Sequence, residues 1–172
     1  MKTYVLLFRG INVGGKNILP MKDLSALLIN EGCMDVKTYI QSGNVVLKAK
    51  KKPGEDIKAA IEKSFGFKPE LMVLEKSDFL SAVENNPYRG AEGKAVHLYF
   101  TKKAPTPDAD KLLSLAMSAE KFELKGKIFY LYAPEGIGRS KLVVGLEKCL
   151  GVPATGRNLN TDNKISAMLD CL

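Results

Sequence analysis

The chain has 172 residues, 45% of them apolar and 26% charged, the composition of an ordinary globular chain of one domain or two small ones. Its formal charge of +7 is spread over both halves, with one dense run at Lys48–Lys52, so a charged tail is excluded. No apolar stretch approaches the ~20 residues that span a bilayer, and the opening MKTYVLLFRG lacks the long apolar run and small-residue site of a secretory leader, which reads as a cytoplasmic protein without a membrane partner.

The apolar period changes in a legible order along the chain. A strand over Thr3–Arg9 is followed by a helix from Pro20 that carries Met21, Leu24, Leu27 and Leu28 on one face and stops at Gly32. Two strands, DVKTYI and NVVLKA, are joined through Gln41-Ser42-Gly43-Asn44. A helix with Ile57, Ala60, Ile61 and Phe65 and a strand ELMVLE complete a βαββαβ order. After a short helix capped by Ser77 and ended by Asn85-Asn86-Pro87, the order restarts with the strand KAVHLYF and a helix around Leu112, Leu113 and Ala116. A hairpin of KFEL and IFYLY turns at Lys125-Gly126-Lys127 and leads to a helix with Leu142, Leu146, Cys149 and Leu150. A weaker strand signal lies at Ala154–Leu159, and the chain ends on a helix that Thr161 would cap.

These elements predict an α+β protein of tandem ferredoxin-like (βαββαβ) units with antiparallel or mixed sheets. Residues 1–76 form the first unit and residues 77–172 the second, with an extra C-terminal helix. The competing arrangement is one mixed sheet running through both halves. No low-complexity linker separates the halves, so close docking with a cleft between them is expected.

Three cysteines without CxxC spacing encode neither a disulfide framework nor a thiolate zinc site. The single histidine, His97, sits in the alternating run AVHLYF and reads as a strand-face residue. Metal sites and triads that need a second imidazole are thereby set aside, and neither metal nor cofactor is expected.

The chemistry-bearing stretches are loops. Arg9–Asn17, RGINVGGKN, combines three glycines with two cations, which suits an anion held by backbone N–H groups. Gly10–Asn17 matches the phosphate-loop pattern except at its last position, where Asn17 replaces the magnesium-binding hydroxyl, and Pro20 forbids a helix starting near Lys16. A triphosphatase is therefore disfavoured against a glycine-rich connection that needs positive φ. Gly136–Lys141 (GIGRSK) repeats the chemistry with Arg139 and Lys141 at a helix start, and Thr155–Thr161 (TGRNLNT) adds Arg157, Asn158 and Asn160. Gln41, Ser42 and Asn44 read first as a Ser-Gly hairpin turn tied by side chains. Ser42 has no neighbouring base, so hydrolysis there is disfavoured. Lys125–Tyr132 matches an RNA-recognition signature only at Lys125, Gly126, Phe129 and Tyr132.

Together RGINVGGKN, TYIQSGNVV at Thr38–Val46 and TGRNLNT resemble the domain of unknown function family 1697. The resemblance implies a bacterial-type, soluble, stand-alone α+β protein and no known activity. It carries over hallmark positions at Arg9, Gly10, Asn12, Gly14, Gly15 and Asn17, at Tyr39, Gln41, Ser42, Gly43 and Asn44, and at Arg157, Asn158, Asn160 and Thr161. Leu159 stands where the family commonly has tryptophan, so the resemblance implies no aromatic platform there.

The functional expectation is a small soluble anion-binding module that recognises a phosphorylated metabolite or nucleotide through its Gly-rich basic loops. Its ligand-binding residues would be Arg9, Gly10, Asn12, Gly14, Gly15, Lys16, Asn17, Gln41, Ser42, Asn44, Arg139, Lys141, Arg157, Asn158 and Asn160. The alternative is single-stranded RNA binding on an aromatic sheet face of the second half, through Phe129 and Tyr132. No acid–base pair is evident, so no reaction is named.

Overall fold

The computed structural model describes residues 1–172, which form two compact units. The first comprises Met1–Ser81 together with Lys164–Leu172, and the second Ala82–Asn163. Within the first, Lys76 Nζ donates to the Leu169 carbonyl (2.9 Å) and Lys37 Nζ to that of Cys171 (3.3 Å).

The first unit holds strands β1 (Lys2–Arg9), β2 (Met34–Tyr39), β3 (Asn44–Ala49) and β4 (Glu70–Glu75), with helices α1 (Met21–Asn30) and α2 (Glu55–Phe65). Its four strands pair in the order β2-β3-β1-β4, all antiparallel. Helix α3 (Lys76–Glu84) follows; it starts at Lys76, so Ser77 lies in its first turn and not at its cap. The second unit holds β5 (Val96–Thr101), β6 (Lys121–Lys125), β7 (Ile128–Tyr132) and β8 (Ala154–Asn158), with α4 (Ala109–Leu115) and α5 (Lys141–Leu150). Its order, β6-β7-β5-β8, repeats that of the first unit and is again antiparallel. The chain is thus a pair of tandem ferredoxin-like units with separate sheets, not one mixed sheet. The weak strand signal is the real strand β8. Helix α6 (Leu159–Asp170) begins two residues before Thr161, and Asn158 Oδ1 accepts from Thr161 N (2.9 Å), so the capping residue is Asn158.

Each core is built from alternate residues of the central strand. Tyr4, Leu6 and Phe8 of β1 meet Met21, Leu24 and Leu28 of α1 and Ile57 and Ile61 of α2. Tyr99 of β5 joins Phe129 and Leu131 of β7 beneath Leu142, Leu146 and Leu150 of α5. The intervening residues Val5, Leu7, Leu98 and Phe100 are also fully buried, which is why both central strands read as nearly unbroken apolar runs. No helix is long and apolar enough to cross a membrane.

The β2–β3 connection is a four-residue loop, Ile40–Gly43, since Tyr39 pairs with Asn44; a two-residue Ser-Gly turn is not formed. Gly43 has φ +88°, and a Cβ there would lie 2.7 Å from both Ile11 Cδ1 and Phe8 Cβ. Its carbonyl also accepts from Phe8 N at 2.8 Å. Gly43→Ala therefore meets strain and overlap together and is expected to destabilise by about 2–4 kcal/mol, read as a lower denaturant midpoint; an unchanged midpoint would refute the packing described.

Candidate functional site

Beyond Arg9 the chain does not enter a helix. It folds back as a small hairpin in which Asn12 N donates to Asn17 O and Lys16 N to Val13 O, each at 3.0 Å. Gly14 (φ +58°) and Gly15 (φ +71°) occupy the two central turn positions, the left-handed pair that a type I′ turn demands. A Cβ at Gly10, Gly14 or Gly15 would meet nothing within 4 Å, so these glycines serve backbone conformation and not close approach. Helix α1 starts at Met21 with Pro20 at its cap, five residues after Lys16. The phosphate-loop spelling therefore does not produce a phosphate-loop backbone: the loop projects and does not wrap around the start of a helix.

Asparagine amides hold this loop in shape. Asn12 Nδ2 donates to the carbonyls of Leu19 (2.9 Å) and Gln41 (2.8 Å), while its Oδ1 accepts from Leu19 N (2.7 Å). One side chain thus joins the hairpin to the Ile40–Gly43 loop. Asn17 Nδ2 closes the base on the Gly10 carbonyl (2.9 Å). Asn44, fully buried, donates from Nδ2 to the Tyr39 carbonyl (3.0 Å) and to Ser42 Oγ (3.1 Å). Asn12 and Asn17 are themselves left-handed (φ +54° and +53°), which asparagine tolerates; Ile40, at φ +49°, is β-branched and does not.

Because β1 ends where β3 and β4 begin and β2 ends, all the first-unit residues of interest, from Arg9 to Asn17 and from Gln41 to Asn44, share one end of the sheet. Arg9 and Lys16 are exposed there, beside exposed Val13, Ile18 and Ile40.

In the second unit Arg139 and Lys141 are exposed and flank Ser140 at the start of α5. Ser140 is fully buried; its Oγ accepts from Val143 N (3.2 Å) and donates to Glu120 Oε2 (2.7 Å), and Glu120 Oε1 accepts from Met117 N (2.8 Å). The positive end of this helix already holds a hydroxyl and, behind it, a buried carboxylate, where an external anion would otherwise sit. Arg157 is a strand residue of β8, not a loop residue. Its Nη1 donates to the Gly156 carbonyl (2.9 Å), and burial lowers its pKa against the opposing pull of Asp162. Burial likewise raises Asp162 well above the usual carboxylate range, with Arg157 drawing it down. Asn158 caps α6, and Asn160 Oδ1 lies over Gly93, where a Cβ would come within 2.0 Å of it.

Arg139, Lys141, Arg157, Asn158 and Asn160 also share one end of their sheet, but it is the opposite end from that used in the first unit. GIGRSK follows the third strand of its unit, whereas RGINVGGKN follows the first. The position equivalent to RGINVGGKN is the Lys102–Asp108 stretch, which has no glycine. Phe129 and Tyr132 do not form a shared aromatic surface: Phe129 lies in the core against Phe122 and Tyr99, while Tyr132 is half-buried near Tyr88. Sequence reasoning passed over Ile40 and Glu120. A β-branched residue at the start of a tight loop was the available signal for Ile40; Glu120 carries none.

Comparison with known proteins adds a family. A family model described as "Protein of unknown function (DUF1697)" matches residues 1–130. The chain belongs to this family. The match takes in RGINVGGKN and TYIQSGNVV and stops within KGKIFYLY, while TGRNLNT lies beyond it. A solved structure, that of the conserved bacterial protein SP0830 from Streptococcus pneumoniae, is similar at 28% identity with a TM-score of 0.67, covering 98% of each chain. A search of curated proteins finds no match.

Two outcomes test this geometry. Asn12→Asp sets a carboxylate oxygen against the carbonyls of Leu19 and Gln41 and should cost about 2–4 kcal/mol in chemical denaturation; a neutral result would show that the amide does not hold the loops together. His97 is buried, and desolvation lowers its pKa from 6.5 although a backbone hydrogen bond to Lys94 opposes the shift. Below pH 6.5 the unfolded chain binds the imidazole proton first, so stability falls as pH drops toward the folded-state pKa; above 6.5 both states are neutral and the penalty is absent. The stability difference between wild type and His97→Gln should therefore vary with pH only on the acid side of 6.5, and a pH-independent difference would refute this assignment.

Proposed function

We propose that the chain is a binding module for a phosphate-bearing small molecule or nucleotide, with its site on the basic loop Arg9–Asn17 and the adjoining Ile40–Gly43 loop. The observation that carries this reading is the investment in loop shape. Left-handed Asn12, Asn17 and Ile40 cluster in two exposed loops, and one asparagine amide makes three hydrogen bonds to hold them. At Ile40 backbone strain of about 1–3 kcal/mol persists because the surroundings over-determine it, and such strain concentrates at sites of recognition. Two exposed cations on such a frame present positive charge from a backbone already ordered for binding.

Arg139 and Lys141 are assigned a lesser part, because Ser140 and Glu120 already occupy the start of their helix. Single-stranded RNA binding is not favoured, since Phe129 is fully buried. Three free thiols, Cys33, Cys149 and Cys171, accord with a cytoplasmic setting.

Thermal unfolding in inorganic phosphate, sugar phosphates and nucleotides provides the test. A specific ligand at a hundredfold excess over its Kd should stabilise by about 2.7 kcal/mol, and Lys16→Ala should weaken the effect. If no phosphate compound moves the midpoint, or if Lys16→Ala responds as wild type does, the proposal fails.

A further inference from the structure

The apolar side chains of these two loops say what else the ligand carries. Ile40 lies at φ +49° and is 48% exposed. A branched side chain in the left-handed region is strained relative to glycine, and a half-exposed one offsets only part of that strain by burial. Asparagine or glycine would relieve the strain, and the same loop uses glycine at φ +88° three residues later. Isoleucine here keeps backbone strain that asparagine would avoid, in return for an apolar side chain only half withdrawn from water.

Val13, 66% exposed, belongs to the hairpin that Asn12 ties to the Ile40 loop, and Ile18, 55% exposed, directly follows it. Lys16 is the bridge partner of Val13, which sets a cation beside an apolar group on a rigid backbone. Inorganic phosphate or a sugar phosphate would use the cations alone and leave three branched side chains in water.

We infer that the ligand is a nucleotide, its phosphate held by Lys16 and Arg9 and its base lying on Ile40, Val13 and Ile18. This rests on the phosphate reading of the same loops. Neither loop contains an aromatic residue, so the base is held by apolar contact and dispersion instead of stacking. Affinity then follows the area of the base, and purines bind more tightly than pyrimidines.

Titration calorimetry with adenosine 5′-monophosphate, uridine 5′-monophosphate, ribose 5-phosphate and inorganic phosphate decides the matter on wild type and Ile40→Asn. Asparagine accepts the left-handed backbone, so the variant should fold, which its ligand-free unfolding midpoint checks. The adenine nucleotide should bind wild type at least about tenfold more tightly than ribose 5-phosphate, and Ile40→Asn should lose most of that margin while still binding ribose 5-phosphate. Equal affinity for the two compounds, or an unchanged margin in Ile40→Asn, overturns the nucleotide inference and leaves the phosphate reading standing. Absence of binding by every phosphate compound overturns both.

Discussion

Antiparallel pairing on both edges of one apolar strand, β1 in the first unit and β5 in the second, is the constraint from which the remaining architecture follows. A strand with neighbours on both sides satisfies its backbone groups in the sheet, so it can bury side chains on both faces without orphaned donors. Tyr4, Leu6 and Phe8 then anchor two helices, while Val5 and Leu7 are buried on the opposite face. With β1 fixed, the place where it ends is fixed too, and Arg9 emerges at the end of the sheet where the β2–β3 loop also turns. The two loops meet because the sheet order brings them together. Asn12 completes a proximity that strand pairing has already imposed.

The loops differ from an enveloping anion cradle in a physically definite way. A phosphate loop bares successive N–H groups at the start of a helix, where the helix dipole adds to them. Here two of the available N–H groups, those of Asn12 and Lys16, close the hairpin on itself, and four residues separate Lys16 from the helix. Recognition would therefore depend on side chains carried by a stiff frame more than on a concave backbone. In the second unit a buried carboxylate sits behind the α5 N-terminus, so the most anion-friendly dipole of that unit is turned inward to stabilise its own fold.

Fold class was legible because the signals were periodic and redundant. Apolar spacing marked each helix of the two βαββαβ orders, and ELMVLE reproduced the bounds of β4. The weak strand signal of β8 has a cause in composition, since ATGRN carries a glycine, an arginine and an asparagine on an edge strand. The capping error at α6 arose because Asn158 and Thr161 are both good caps three residues apart, and local chemistry does not choose between them. The candidate site was legible as composition but not as geometry. Gly-Gly between Val13 and Lys16 spells a type I′ turn as readily as an anion loop, and only long-range bonds such as Asn12 to Gln41 settle the shape. Arg157 read as a loop arginine because the strand that holds it was faint.

The sheet order also has a consequence for the growing chain. During synthesis β1 waits for its partners: β3 arrives with residues 44–49 and β4 only with residues 70–75. At about 5–20 residues per second of elongation, that delay is on the order of seconds, whereas local hairpins close in roughly 1–10 μs. In the interval Val5, Leu6, Leu7 and Phe8 form an apolar, uncharged strand with an open edge, the kind of segment that recruits other chains. The same feature that makes β1 the anchor of the finished unit makes it the segment most open to wrong pairing until β4 is delivered.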